Sequence, residues 1–206
     1  MSGGGRMGEP VRQGGGSTRV IALAGAPGER QSWDRSTATV YLWGLIEWLL
    51  VTNSLQVSSR VRIAALRAFG AKIGENVIFR PRTRVRFPWK LSIGDNSWIG
   101  EGVWIHNQDI VQIGHDVVIS QETFLSTGSH AYGTDMALKT LPITIEDGAW
   151  ITARCVVLGG AILGKSALVT PLTCVRGTVP PGVIWSVDGV VRQRFDLEEE
   201  SEADAD

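Results

Sequence analysis

The chain reads as mainly β, a triangular parallel β-helix of about five coils behind a helical cap, and three patterns lead there. A large apolar residue recurs at every sixth position: Ile73, Phe79, Val85, Leu91; then Ile93, Ile99, Ile105, Val111; then Ile113, Ile119, Leu125; and, after a break, Ile143, Ile145, Ile151, Val157, Leu163, Val169, Val175. Two-residue steps, such as Leu91 to Ile93 and Val111 to Ile113, separate one coil from the next and put coil starts near Ile73, Ile93, Ile113, Ile145 and Leu163. The residue four after each hexad start is small in thirteen of fifteen cases, Ser129 and Cys155 among them, with Trp89 and Asp109 as exceptions. A helix repeats near 3.6 and a flat strand at 2, so a strict six describes a side and a corner of a coil, with the large and the small residue both turned inward.

The elements follow in order. Residues 1–30, with Gly3-Gly4-Gly5 and Gly14-Gly15-Gly16, lack the apolar residues that offset ordering entropy and read as a flexible tail. Residues 31–72 form the cap. In its first helix Leu42, Leu45, Ile46, Leu49 and Leu50 recur at helical spacing and predict a core-packing stripe, with Trp43 and Trp48 on its flanks. A second helix is expected from about Ser59 to Phe69, capped by Ser58 or Ser59 and ended by Gly70. Residues 73–180 are the β-helix, whose open strand edges need covering at both ends. Gly74, Gly94, Gly100, Gly114 and Gly164 are expected at corners with unusual backbone angles. The hexads lapse at 131–142, a loop thrown out of one coil. Residues 181–195 form a C-terminal cap, and 196–206 an acidic disordered tail.

Composition bounds the function. With 206 residues, 43% of them hydrophobic and 20% charged, the chain has the make-up of one globular domain. No apolar run reaches the roughly 18 uncharged residues of a membrane span, since Ala38 to Val51 is short and carries Glu47. Cys155 and Cys174 are too few for a disulfide framework, which points to a reducing cytoplasm. Both lie at or beside inward positions and are expected not to serve as exposed nucleophiles. The net charge of −1 hides seven acids within Asp196 to Asp206 and nine basic residues against Glu75 alone between Arg60 and Lys90. The basic stretch points to an anionic partner or a membrane surface. No nucleic-acid partner is expected.

Several segments together resemble a known family: Ser32-Trp33-Asp34-Arg35, Phe69 to Gly74, Phe87 to Asp95, Trp98 to Glu101, Ile119-Ser120-Gln121, Thr127-Gly128-Ser129-His130 with Tyr132, and Pro142 to Ile151. The chain is similar, from about Ser32 to Arg194, to the hexapeptide-repeat acyltransferases, most closely to the colanic acid biosynthesis acetyltransferase branch. The resemblance implies a left-handed parallel β-helix and an O-acetyltransferase that moves acetyl from acetyl-CoA to a saccharide hydroxyl, such as one on an exopolysaccharide repeat unit. It implies a homotrimer with sites between subunits, and a saccharide or lipid-linked saccharide acceptor at the inner membrane face. The Trp-rich cap and the basic stretch are compatible with peripheral membrane contact.

The resemblance also assigns residues. His130 is the general base, a role that suits an imidazole because its ordinary pKa leaves it mostly neutral yet basic near pH 7. Asn107 and Asp109, one coil earlier, are expected beside the His130 strand as acceptor-binding residues, Asp109 as a buried carboxylate with partners or in a local corner hydrogen bond. For CoA the resemblance points to Trp150, Ala153, the Pro171 corner, Arg176-Gly177 and Arg192 or Arg194, the cations serving as phosphate clamps. Two segments depart from the family pattern: Arg176-Gly177-Thr178 in place of Thr-Lys-Asp, and Val187-Asp188-Gly189-Val190 in place of Gly-Asn-Pro-Ala. His106 and His115 read as surface residues, and three histidines at mismatched spacings argue against a zinc enzyme of the γ-carbonic-anhydrase kind, so no metal is expected. A non-catalytic scaffold with a degraded CoA site is the other reading left open.

Overall fold

The protein is described by a computed structural model over residues 20–195. The acidic tail from 196 and the first nineteen residues lie outside the described part. Two short 3-10 turns, Leu23–Gly25 within the stretch that reads as a tail and Glu29–Ser32 across its end, lead into the cap.

Three parallel sheets form the sides of a prism. Side 1 stacks Lys72–Ile73, Leu91–Ile93, Val111–Ile113, Ile143–Ile145, Ile162–Leu163 and Thr178–Val179. Side 2 stacks Ile78–Phe79, Trp98–Ile99, Val118–Ile119, Trp150–Ile151, Leu168–Val169 and Val183–Ser186, closed by the antiparallel strand Gly189–Gln193. Side 3 has five strands, from Arg84–Val85 to Cys174–Val175. Five coils are therefore complete and a sixth has two sides. Every residue of the hexad series from Ile73 to Val175 is buried, and each such side chain contributes about 1.5–3 kcal/mol to folding. The outward columns differ. Side 1 shows Lys72, Ser92, Gln112, Thr144, Ile162 and Thr178, polar but for Ile162, whereas side 2 shows Ile78, Trp98, Val118, Trp150, Leu168 and Ile184.

The expected corner glycines act through space rather than through backbone angle. None of the five named above has a positive φ; the left-handed corners are Asn76, Asn96, Asp116, Gly148, Ser166 and Gly182 at the edge between sides 1 and 2, and Arg82, Gly102, Glu122, Arg154 and Leu172 at the edge between sides 2 and 3. Gly94 is glycine because a Cβ there would lie 2.5 Å from the His115 nitrogen and 2.6 Å from the Gly114 carbonyl carbon of the next coil.

Helix α1 (Thr37–Ile46) starts at Ser36, whose Oγ accepts from the Thr39 nitrogen at 3.2 Å, and continues into a π-helical turn, Glu47–Thr52. The stripe expected to pack is not the one that does. Val40, Trp43 and Val51 are buried, while Leu42, Leu45 and Leu49 are exposed, with Ile46 and Leu50 half-buried at the boundary. Trp43 and Glu47 explain the choice, because both serve the open edge of the first coil: Trp43 Nε1 donates to the Val85 carbonyl at 2.9 Å, and Glu47 Oε1 accepts from the Val85 nitrogen at 2.6 Å. Helix α2 (Ser59–Ala68) does likewise. Ser59 Oγ accepts from the Phe79 nitrogen at 2.8 Å, and Arg67 donates to the Ile73 carbonyl at 2.7 Å. Neither Ser58 nor Ser59 caps its own helix through its side chain. Gly70 ends the helix at φ +99°. Arg62, wholly buried, donates to the carbonyls of Val51, Asn53 and Gln56.

Candidate active site

The excursion is an antiparallel hairpin that begins earlier than the lapse in the hexads. Gly128–His130 pairs with Leu138–Thr140, Gly128 facing Thr140, Ser129 facing Lys139 and His130 facing Leu138. Ser129 is accordingly exposed, not inward. Its base is tied down by Leu141 N to Thr127 O at 3.0 Å and Ile143 N to Ile110 O at 3.0 Å. Gly128 lies against the preceding coil, where a Cβ would fall 1.8 Å from Gln108 Oε1. At the hairpin tip Met136 adopts a left-handed φ of +59°, and its carbonyl oxygen lies 2.8 Å from His130 Nδ1. A carbonyl can only accept, so Nδ1 carries the hydrogen. The neutral ring then holds its free lone pair on Nε2. The His130 side chain is exposed.

Successive strand residues alternate sides, so Gly128 and His130 share a hairpin face with Leu138 and Thr140. Leu138 and Thr140 on that face line a polar cavity of about 320 Å³ with Gln31, Ser32, Asp34, Lys90, Gln108 and Asp109. A second cavity of about 450 Å³ shares Asp34, Lys90 and Asp109 and adds Arg35, Trp89 and Ile110. Lys90 is fully engaged: its Nζ donates to Ser32 O at 2.6 Å and Gln108 O at 2.7 Å and pairs with Asp34 Oδ2 at 2.9 Å. Gln108 is buried with its Nε2 lacking a partner. Trp89, Asp109 and Ser129, each one coil apart, are the positions where the small inward residue fails, and all three lie on the edge between sides 3 and 1. The two exceptions in the hexad pattern thus marked the site edge.

The expected acceptor residues divide. Asn107 is wholly buried, and both ends of its amide are used by one residue: Oδ1 accepts from Phe87 N at 2.9 Å and Nδ2 donates to Phe87 O at 2.7 Å. That leaves it holding the coil, turned away from any ligand. Asp109 is half-buried and not the enclosed carboxylate that its hexad position predicted; its Oδ1 accepts from Ile110 N at 2.7 Å while its nitrogen donates to Thr127 Oγ1 at 2.8 Å. Its place in both cavities keeps it beside the hairpin.

The residues expected at CoA lie in three places. Arg176 and Gly177 sit on the same edge as the hairpin, two coils further on, with Gly159-Gly160 between them and it. Ala153 and Pro171 line a groove of about 490 Å³ on the next edge, between sides 2 and 3, with Arg82, Arg154, Glu101 and Glu122. Trp150 and Arg192 share the outward face of side 2, Trp150 donating to Ser120 Oγ at 3.0 Å and Arg192 lying opposite Ile184. Arg194 is engaged within the chain. Its Nη1 donates to Gly148 O and Ser166 O, both at 3.0 Å, on the edge between sides 1 and 2.

The other reactive groups are separate from this site. His106 rests against Trp104 and Phe124, and burial pushes its pKa down, Arg86 adding to the effect. His115 is on the surface, as read, and meets Asp116 at 2.6 Å and Asp147 at 3.1 Å; the hydrogen bond to Asp116 holds its pKa up. Cys155 is buried, and its burial raises the thiol pKa. Cys174, expected to be shielded, is exposed, because its side chain takes the outward position on side 3. Among the described residues no three His, Cys, Asp or Glu side chains are grouped to hold a metal ion.

A three-sided parallel coil built on six-residue repeats, with a histidine hairpin projecting from one edge, has relatives among named acetyltransferases. WcaF of Escherichia coli, named for an acetyltransferase role in colanic acid biosynthesis, is 34% identical over 162 residues, covering 77% of this chain and 89% of its own. The chain belongs to the hexapeptide-repeat acetyltransferases, in the branch that WcaF represents. Among solved structures, a hexapeptide-repeat acetyltransferase of Vibrio cholerae complexed with acetyl coenzyme A superposes with a TM-score of 0.72 at 22% identity, covering 82% of this chain and 100% of that one. A galactoside acetyltransferase in complex with coenzyme A gives 0.68 at 21% identity, covering 83% and 84%. No protein-family model matches the chain.

Proposed function

We propose that the chain transfers acetyl from acetyl-CoA to a hydroxyl of a saccharide bound in the two cavities beside the hairpin. His130 Nε2 removes the hydroxyl proton as that oxygen attacks the thioester carbonyl. The carbon–sulfur bond then breaks, and the departing CoA thiolate takes the proton from the imidazolium. The observation that carries this reading is the bond from His130 Nδ1 to the Met136 carbonyl, which fixes the free lone pair on the nitrogen a base would use. The carboxylates of Asp34 and Asp109 suit hydroxyl donors, and Lys90, already neutralised, favours an acceptor without its own charge at that point. An exopolysaccharide repeat unit on a lipid carrier, at the inner membrane face, fits this chemistry and the naming of WcaF.

The site is completed by other copies of the chain. Arg176 and His130 share one edge of the prism while Ala153 and Pro171 occupy another, so a single CoA reaches both sets only where two chains meet. The outward column of side 2, with Trp98 and Trp150 exposed, is the apolar surface such a trimer covers. Light scattering is expected to give about three chains per particle; a single-chain particle overturns the shared site.

Acetyl-CoA calorimetry on the wild type and on His130→Ala tests the donor half, with equal affinity expected. Failure of both to bind with the fold intact makes the chain a scaffold, the outcome that the Arg176-Gly177-Thr178 departure and the engaged Arg194 favour. Acceptor-dependent release of CoA thiol, lost in the variant, tests the transfer itself.

A further inference from the structure

We propose that the outer face of α1 and its π-helical continuation docks the protein onto an anionic lipid surface. Tyr41 is 68% exposed, Leu42 52%, Leu45 51%, Trp48 67% and Leu49 40%. Their spacing places them on one side of the helix, opposite Val40, Trp43 and Val51. This helix is apolar on both faces. One face seals the first coil, and among the described residues the other is left exposed. Leu55 and Val57, in the turn after it, are 88% and 83% exposed.

The charges around this face are one-sided. Between Arg35 and Arg60 the only charged residue is Glu47, and it points inward to Val85. Arg82 borders Trp48 and Leu49 in a shallow groove of about 370 Å³ and is paired there with Glu101 at 2.8 Å, so the free positive charge comes from the other arginines. Arg35 opens the helix, Arg60 follows it, and Arg80, Arg84 and Arg86 are exposed on the first coil behind it. An uncharged stripe of Leu with Trp and Tyr, bordered by arginines, matches the interface of an anionic bilayer, where aromatic rings sit at headgroup depth and cations meet lipid phosphates. In a two-fold contact between copies the same arginines would be brought together. No described helix is long and apolar enough to cross a membrane, so the contact is one of lying on the surface. Thr37 to Thr52 would extend over roughly 24 Å of it.

The geometry connects this face with the two cavities. Asp34 and Arg35, which line them, immediately precede Ser36 and α1. A helix lying flat therefore holds the cavities close to the headgroups. Use of that position for a lipid-linked acceptor rests on the transferase reading above; the docking rests on exposure and charge alone.

Co-sedimentation of the full chain with vesicles of phosphatidylcholine, or of phosphatidylcholine with about 30% phosphatidylglycerol, tests it. Binding is expected to the anionic vesicles, to weaken with salt, and to fall roughly tenfold or more in Leu45→Gln/Trp48→Gln. Circular dichroism and acetyl-CoA affinity are expected to be unchanged in that variant, which separates loss of docking from loss of the donor site. Absence of wild-type binding, or equal binding by the variant, overturns the proposal. If the variant instead alters particle mass in light scattering and neither protein binds vesicles, the face is a contact between copies.

Discussion

His130 and Met136 are joined across the hairpin tip by a bond of 2.8 Å from an imidazole Nδ1 to a main-chain oxygen. Only the backbone of Met136 takes part. Met136→Gly, which suits a φ of +59°, is expected to leave transfer within about twofold. His130→Gln is expected to lower it about 10²- to 10⁴-fold with acetyl-CoA affinity kept. Steady-state rates beside calorimetry check both, and a slow Met136→Gly with an active His130→Gln would reverse the assignment.

Glu47 spends a desolvated carboxylate on one strand-edge nitrogen. Burial raises its pKa above the ordinary 4.5, with the Val85 hydrogen bond and Arg84 acting in the opposite direction. The folded protein therefore binds this proton more tightly than the unfolded chain, and the linked stabilisation, complete below about pH 4.5, is lost as pH rises through the folded pKa. Glu47→Gln keeps an acceptor and cannot ionise. Its urea midpoint is expected to gain on the wild type as pH rises from 4.5 toward neutrality; a constant difference would show that the carboxyl is not desolvated. Glu47→Ala orphans the Val85 nitrogen and is expected to cost about 1–3 kcal/mol.

Arg194 and Arg176 separate structure from donor binding. Arg194→Ala removes the donor to Gly148 O and Ser166 O and is expected to lower thermal stability while acetyl-CoA affinity stays within about twofold. Arg176→Ala is expected to do the reverse, weakening the donor by roughly 1.5–3 kcal/mol. Paired melting and calorimetry decide; an affinity loss confined to Arg194→Ala would restore that residue as the phosphate clamp.

The coil stack has little tolerance where a corner glycine meets main chain of the next coil. Gly94→Ala is expected to lose about 1–3 kcal/mol, since the obstructing atoms are backbone of the next coil. At Gly128 the obstruction is the end of a side chain, Gln108 Oε1, which can move. Gly128→Ala is expected to melt closer to the wild type yet to slow transfer by displacing the hairpin. Equal melting temperatures for the two variants would contradict this account.

The β-helix was legible because its period admits one structure: each hexad residue from Ile73 to Val175 is inside. The orientation of α1 was not, since apolar residues occupy both of its faces and a periodicity cannot rank two apolar stripes. What ranks them is the pair of polar atoms on Trp43 and Glu47, which only a partner strand makes decisive. The edge of the candidate site was visible as exceptions, Trp89 and Asp109, but the strap from Gln31 to Asp34 that walls the cavities lies far off in sequence. The engagement of Asn107 and Arg194 within the chain had no sequence signal, because an amide or guanidinium that bonds main chain looks the same as one that bonds a substrate.

The cap meets the first coil through main-chain atoms: the Ile73 and Val85 carbonyls and the Phe79 and Val85 nitrogens. The hydrogen-bonded part of this seal does not depend on which side chains the underlying turn carries, although Trp43, Val51 and Leu66 also pack into the same core as Phe79 and Val85. A coil duplicated or deleted in the middle of the stack would leave both terminal joints as they are, so the length of this scaffold can drift while its ends are kept. The hairpin edge alone, where neighbouring turns differ from one another, ties the machinery to a fixed rung.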